Sequence, residues 1–335
     1  MNRSVLVTGA TGLLGAAVVR ALTDQGDRVI ALTRRIPKPE VFAGLDVEVA
    51  RGDLADTGLG KCPNWLSEAV SRSAAVIHCA AHIHIGSTQV QRSLAVNHRG
   101  TQAIATACLL AQRPLVNVAT VNTLALGSRD NPANESTPVT ARNAQTQCAY
   151  TVSKAAAVAA VEAATAKGLK AITVHPGFML GPWDWRPSSG QMIHEIARRS
   201  LLLAPSGGCS VCDSRDVAKA IVGALDADVE PGRSFVLAGF NVTYLALLVA
   251  IADRLGRKPP IGVAPLWAQR MVGQFGNLTG HVRGHEPFIN SASCTMGTQF
   301  HWYDSTRAKT ELGYTNRPLA QTLDDAVNWV QRYHC

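Results

Sequence analysis

The stretch Tyr150-Thr151-Val152-Ser153-Lys154 sets a phenol and an ammonium group four residues apart. On a helix this spacing puts both on one face, a turn apart. A free tyrosine ionises near pH ~10 and is a poor acid or base at neutrality, but a cation one turn away stabilises its phenolate. The pair can then exchange a proton with a substrate oxygen. Tyrosine and lysine at this distance also occur on ordinary exposed helices, so the pair gains meaning from what else the chain carries.

It carries a glycine turn near the amino terminus. Thr8-Gly9-Ala10-Thr11-Gly12-Leu13-Leu14-Gly15 follows a β-branched run and opens an apolar helical pattern. Gly9 permits the tight turn, Gly12 lets the backbone approach a pyrophosphate, and Gly15 lets the helix lie close to the strand. The amides at the helix start, over Thr11, Gly12, Leu13 and Leu14, face the phosphates with the helix dipole behind them. Strand, glycine turn and helix in this order make a dinucleotide-binding fingerprint. A nicotinamide cofactor adds hydride transfer to the proton exchange at Tyr150, and Lys154 can also hold the nicotinamide ribose.

The end of the second strand bears on which dinucleotide. A site for NAD usually has an acidic residue about 20 residues past the glycines. Here the chain reads Leu32-Thr33-Arg34-Arg35, with no carboxylate from there to Glu40. A guanidinium at Arg34 pairs with a 2′-phosphate through charge-assisted hydrogen bonds, so NADP is expected, with NAD the alternative; the bland reading is two solvated arginines. After the third strand, Asp53 can accept from the adenine amino group and Leu54 can pack on its ring. After the fourth, Cys79-Ala80-Ala81 offers Ala80 and Ala81 as small side chains against which a cofactor can lie. A third catalytic group is expected at the carboxyl end of the fifth strand, where open sheets bind ligands. Thr120 is the expected donor to a substrate oxygen, with Asn122 and Thr123 as close rivals.

These residues need a scaffold of alternating strands and helices. Strands are expected over Val5–Thr8, Arg28–Leu32, Val47–Ala50, Ala75–Cys79, Leu115–Ala119 and Ala171–His175, with Ser234–Leu237 returning to the same sheet. Helices are expected over Leu13–Thr23, Asn64–Ser71, Val90–Leu110 and Tyr150–Ala166. The strands are continuous apolar runs, as parallel strands covered on both faces should be. The fold class is α/β: a doubly wound parallel sheet of the Rossmann type with a smaller, mostly helical C-terminal substrate region. Residues 1–175 form the expected dinucleotide-binding domain, rejoined by about 206–240. Residues 176–205 and 241–335 form the expected cap, with helices over Met192–Leu202, Ser214–Asp226, Tyr244–Leu255, Ser305–Leu312 and Leu319–Arg332. Lys258 to His301 is the least readable stretch.

Composition narrows the functions. The chain has 335 residues, 47% of them hydrophobic and 17% charged, as in an ordinary globular protein. Its net charge of +8 comes from dispersed lysines and arginines without interleaved aromatics, so no nucleic acid is expected. No apolar run reaches the length of a membrane span, and no signal-peptide pattern is present. The expectation is a cytoplasmic protein without membrane contact and with reduced cysteines. Cys209-Ser210-Val211-Cys212 has metal-type spacing but lacks a second pair, so no metal is expected. Met179, Trp183, Asp184, Trp185 and Met192 are candidates to line a substrate pocket, or else packing anchors. His82 and His84 could face the substrate or simply occupy a surface loop.

Taken together, the glycine turn, Gly52-Asp53-Leu54, Cys79-Ala80-Ala81, Asn97, Thr120, Tyr150, Lys154 and His175-Pro176-Gly177 resemble the extended short-chain dehydrogenase/reductase family. The carboxyl end, with Asp304-Ser305-Thr306-Arg307-Ala308-Lys309, Leu312-Gly313-Tyr314 and Trp329, resembles it too. The resemblance implies that the helix carrying Asn97 bends to orient the lysine and that Pro176 and Gly177 cover the nicotinamide. Phe178 to Asp184 and Arg34 look most like the dihydroflavonol-reductase-like and 3β-hydroxysteroid-dehydrogenase-like branch. Two departures stand out: Ala119-Thr120 replaces the Ser-Ser of most relatives, and Gly207 to Val217 lacks the arginine that nucleotide-sugar epimerases use on the sugar diphosphate. The resemblance implies an NADP-dependent reductase of a small ketone or aldehyde, or oxidation of the alcohol. The alternatives are a nucleotide-sugar epimerase or dehydratase and a catalytically silent dinucleotide sensor. Relatives often form homodimers through helices matching Val90–Leu110 and Tyr150–Ala166.

Overall fold

A strand that is apolar on both faces must lie between two layers of helices. The computed structural model, which describes residues 3–58, 62–199, 201–283 and 285–335, has this layering at its centre. The chain begins β1 (Ser4–Thr8), α1 (Leu13–Asp24), β2 (Arg28–Thr33), β3 (Val47–Arg51), α2 (Asn64–Ser71) and β4 (Ala75–His78). It continues through α3 (Val90–Ser93), a π-helical stretch at Leu94–Arg99, α4 (Gly100–Leu110), β5 (Leu115–Val118), α5 (Ala149–Thr165) and β6 (Ala171–Pro176). Along β2, Val29 and Ala31 enter one core cluster while Ile30 and Leu32 enter the other. The continuous apolar run read from the sequence is thus two half-runs, one for each helical layer.

The second half contains β7 (Phe178–Leu180), α6 (Gln191–Arg198), β8 (Leu203–Ala204), β9 (Gly208–Asp213), α7 (Ser214–Gly223), β10 (Ser234–Leu237) and β11 (Phe240–Thr243). It ends with α8 (Tyr244–Arg254), β12 (Gly262–Val263), α9 (Leu266–Arg283), α10 (Ser291–Gly297), β13 (Phe300–His301), α11 (Thr306–Leu312) and α12 (Leu319–His334). The main sheet is parallel throughout, in the order β3-β2-β1-β4-β5-β6-β10. Strand order reverses between β1 and β4, the switch point where such sheets open a ligand crevice. β9 lies at the centre of a smaller sheet, paired with β7, β11 and β13. A third core, including Leu180, Ile193, Leu247, Ile251, Leu323 and Val330, joins this small sheet to α6, α8 and α12.

Three sequence expectations change. The single helix expected over Val90–Leu110 is two α-helical segments around a π-helical stretch. The helix expected over Met192–Leu202 stops at Arg198, because Leu203–Ala204 is held extended by pairing with Gly262–Val263. The unreadable stretch Lys258 to His301 contains α9 and α10, and the glycines of α9 explain why it was hidden. Gln269, Gly273, Gly276 and Gly280 are buried, while Trp267, Met271, Phe275 and Leu278 are exposed. The helix is amphipathic in the reverse sense, with small residues toward the protein. Among the described residues, no helix is long and apolar enough to cross a membrane.

Candidate active site

The glycine turn forms a tight cradle at the switch point. Gly9 has φ +66°, and a Cβ on it would fall 2.7 Å from the Ala80 backbone. A Cβ on Gly15 would fall 2.1 Å from the Gly9 carbonyl oxygen, so this glycine allows α1 to lie against the turn. Gly12 is exposed and caps α1 without a side chain, so the first-turn amides of α1 have no side-chain acceptor. Thr11 borders the same turn, and Leu13 and Leu14 begin the helix with their side chains buried. Backbone amides left facing outward at a helix start suit a pyrophosphate. Beneath the cradle, the Thr8 hydroxyl meets His78 Nδ1 at 2.6 Å and accepts from the Ala80 amide at 3.1 Å. His78 Nε2 meets the Thr101 hydroxyl at 2.9 Å. Burial, together with the charge of Lys154, pushes the His78 imidazole down to about 3. It is a neutral link between sheet and helix.

The surrounding residues are placed as follows. Arg34 and Arg35 stand exposed just after β2, and neither is paired with a carboxylate among the described residues. Asp53 accepts from the Ala55 amide at 3.0 Å and caps a short helical turn. Leu54, expected against an adenine ring, is buried in the core with Leu6, Ile30 and Leu32. Its side chain packs against Gly100, which turns it inward. Ala80 is half-buried and Ala81 exposed in the loop after β4. Pro176 ends β6, and a Cβ on Gly177 would lie 2.5 Å from the Ser210 carbonyl oxygen, so the chain turns here hard against β9.

Tyr150, Lys154 and Thr120 meet at the carboxyl end of β5. Tyr150 lies in the first turn of α5 and Lys154 one turn on, its side chain buried. Lys154 Nζ donates to the Val118 carbonyl at 2.6 Å. The Thr120 hydroxyl accepts from the Asn122 amide at 3.3 Å and stands close enough to the Tyr150 phenol to pull its ionisation downward. Thr123 points elsewhere: its hydroxyl donates to the Thr120 carbonyl at 2.7 Å and meets His175 Nδ1 at 3.0 Å. Asn122 is half-buried in the short turn capped by Thr120. Of the three rivals, Thr120 is the one whose hydroxyl acts on the ionisation of the phenol.

The electrostatics differ from the simple expectation that Lys154 lowers the tyrosine. Burial pushes the Tyr150 phenol up to about 12, against the opposing pull of the Thr120 hydroxyl. Burial likewise pushes Lys154 down to about 8. Desolvation is the largest influence on each of the two groups. His175, beside them, is held neutral by burial at about 4.

Asn97 lies in the π-helical stretch and is buried. Its Oδ1 accepts from the His82 amide at 2.7 Å, and its Nδ2 donates to the His82 carbonyl and the Ser153 hydroxyl, each at 2.9 Å. It therefore ties the loop after β4 to α5 immediately before Lys154. His82 meets the Ser93 hydroxyl at 3.1 Å and His84 meets Glu286 at 2.9 Å. Glu286 also accepts from the Ser87 and Thr88 amides, each at 3.0 Å. Burial works against its charge, but the bonds from Thr88, Ser87 and His84 hold Glu286 down at about 2. Glu286 and Asn290, which donates to the Ile85 carbonyl at 2.7 Å, strap this loop beside Tyr150. The sequence carried no local signal for either, since they lie about 200 residues beyond the loop they hold.

Several pocket candidates are packing residues instead. Trp185 packs edge-on against Trp329 and Tyr333, and Met192 joins the third core. Asp184 is buried and accepts from the Ser188 and Gly190 amides. Trp183 and Met179 pack against the main core, with the Arg20 guanidinium 4.4 Å over the Trp183 ring. Cys209 and Cys212 enter different cores, so their thiols do not converge.

Comparison with known proteins places this geometry. The model of a family described as NAD dependent epimerase/dehydratase matches residues 5–238. A Synechocystis protein bearing the name dihydroflavonol 4-reductase is 27% identical, with 98% of this chain and 94% of that protein covered. The crystal structure of gox2253 is 29% identical with a TM-score of 0.83, covering 99% of each chain. A nucleoside-diphosphate-sugar epimerase from Pseudomonas aeruginosa, 22% identical, has a TM-score of 0.78 and covers 100% of this chain and 99% of its own.

Proposed function

The chain belongs to the NAD dependent epimerase/dehydratase family and is an NAD(P)-dependent oxidoreductase, and on that premise we propose that it reduces a ketone or aldehyde with NADPH, or oxidises the corresponding alcohol. The reading rests above all on Tyr150 and buried Lys154 one turn apart on α5, with Lys154 bonded to the Val118 carbonyl at the carboxyl end of β5, where Thr120 follows. When bound, the dinucleotide supplies the hydride. Gly9, Gly12 and Gly15 form the turn for its pyrophosphate, and Arg34 is free to take a 2′-phosphate. Lys154 holds the ribose. Thr120 donates to the substrate oxygen, and Tyr150 passes its proton to that oxygen as the carbonyl becomes an alcohol. Burial keeps the phenol protonated and ready as the donor at neutral pH. The reading puts the chain in the cytoplasm, with the substrate between the sheet edge and the region built by 176–205 and 241–335. Within the family it favours the dihydroflavonol-reductase-like and 3β-hydroxysteroid-dehydrogenase-like branch, supported by the Synechocystis relative.

A second reading, epimerisation or dehydration of a nucleotide-activated sugar over tightly held NAD(P), draws its support from the family description and the full-length likeness to a nucleoside-diphosphate-sugar epimerase. Against it, the arginines near the end of β9 already serve carboxylates. Arg215 binds Asp213 and Asp325, and Arg317 binds Asp216. The separating experiment is a screen of aldehydes, ketones and nucleotide sugars that follows NADPH absorbance. The first reading expects net NADPH consumption with a carbonyl compound. Conversion of a nucleotide sugar without net consumption would overturn it in favour of the second.

A further inference from the structure

We propose that the outer face of α9 docks this protein onto an anionic lipid surface, a role that stands independently of the reaction assigned above. At about 100° per residue, Trp267, Met271, Phe275, Leu278 and Val282 fall within an arc of about 80°. All five are exposed, Val282 by 80% and Trp267 by 70%. The opposite arc is Gln269, Gly273, Gly276 and Gly280, buried against the protein. A Cβ on Gly276 would stand 2.1 Å from the Ile289 carbonyl oxygen and one on Gly273 2.9 Å from Ser291 Cα. The orientation is therefore fixed by backbone contact: α9 cannot roll to bury its aromatic side without driving bulky residues into the segment before α10.

An apolar helical stripe of this size held toward solvent has to be accounted for by what covers it. The charge around it selects the cover. From Arg254 to His285 the sequence contains no aspartate or glutamate beyond Asp253 but has Arg257, Lys258, Arg270 and Arg283 besides Arg254, which Asp324 pairs. Arg270 and Arg283 lie on α9 itself, exposed, and neither is paired with a carboxylate among the described residues. A tryptophan, phenylalanine and leucine face flanked by cations is the composition of a helix lying in a membrane interface, its rings at headgroup depth and its cations on anionic phosphates. Exposed Phe288 and Ile289 follow α9 in the chain, and exposed Ile261 and Val263, at β12, precede it. Since Glu286 and Asn290 in the following segment strap the loop beside Tyr150, docking by this face would set the catalytic edge near the lipid. The partner is an interface and not a span, in keeping with the absence of a membrane-crossing helix among the described residues.

The test is co-flotation of the full chain with vesicles of mixed phosphatidylglycerol and phosphatidylcholine, against phosphatidylcholine alone. The unmodified protein should float with the anionic vesicles, less so as salt rises. The double substitution Trp267→Ser with Phe275→Ser should lower the affinity by about a hundred-fold through lost apolar burial. Trp267→Phe should keep most of it. Both variants should retain their far-ultraviolet circular dichroism and melting temperature, since neither side chain contributes to a core. Three results would overturn the proposal: no flotation of the unmodified protein, undiminished flotation of the double variant, or a stable dimer that the double substitution splits. The last would assign the stripe to contact with a second copy.

Discussion

The amide of Asn97 donates to the hydroxyl of Ser153 at 2.9 Å, one residue before Lys154, from the centre of a π-helical stretch. The same side chain takes both backbone groups of His82, so three of its four hydrogen-bonding positions hold two segments in register. A π-helical stretch swells the helix locally and re-aims the side chains around it. The extra width is what lets Asn97 reach both the β4 loop and α5. Asn97→Ala leaves these buried groups without partners and should cost about 1–3 kcal/mol of stability. Because Asn97 acts through the placement of Lys154, kcat should fall more than the melting temperature alone explains, and Asn97→Asp should restore only part of it. Denaturant titration alongside steady-state rates checks both.

Tyr150→Phe removes the proton donor and keeps the ring. The rate should fall about 10²–10⁴-fold while NADPH affinity stays within a few-fold, because the phenol acts chiefly in the transition state. Thr120→Ala should lower the rate less, and it should also raise the Tyr150 phenol further, since the Thr120 hydroxyl opposes the effect of burial. Single-turnover kinetics with cofactor binding by fluorescence separates these effects. Full activity of Tyr150→Phe on a confirmed substrate would rule out the mechanism.

Arg34 is exposed and unpaired with any carboxylate among the described residues, so replacing it disturbs no native contact. Arg34→Glu should weaken NADPH by about 10–100-fold through the loss of charge-assisted bonds, and leave NADH unchanged or improved. Equal affinities for the two cofactors in the unmodified protein would contradict the assignment.

The first half of the fold was legible because parallel strands buried on both sides, such as Val29 to Leu32, announce themselves as unbroken apolar runs. The glycine turn was legible because Gly9 and Gly15 each meet a local backbone constraint. Thr120 was harder: Asn122 and Thr123 share its loop, and only the direction of the Thr123 hydroxyl toward His175 separates them. The inward packing of Leu54 was not legible, because the room for it comes from Gly100, 46 positions away. α9 was hidden because the usual inference puts large apolar residues inside, and here glycines take that place. Glu286 had no local signature at all, since its role is defined by backbone amides at Ser87 and Thr88.

Lys154 gives the protein a pH signature that needs no substrate. Its ammonium falls from the usual 10.5 to about 8 through burial, with the charge on Cys79 opposing. Between these values the unfolded chain binds a proton that the folded chain has released, so stability rises with pH in that window. Below about 8 both states are charged and the full desolvation penalty is present; above 10.5 both are neutral and it is gone. Tyr150 works in the opposite direction, but only once pH passes its usual 10.0, because the folded phenol stays protonated to about 12. The clean window is therefore from about 8 to 10. There the unmodified protein without cofactor should gain about 1–3 kcal/mol, and Lys154→Met should lack this gain while being the more stable of the two at the acid side of the window. Thermal melts of both proteins at matched ionic strength read the difference directly. If the two melting curves stay parallel from pH 8 to 10, the lysine is not desolvated, and its closeness to Val118 does not describe the protein in solution.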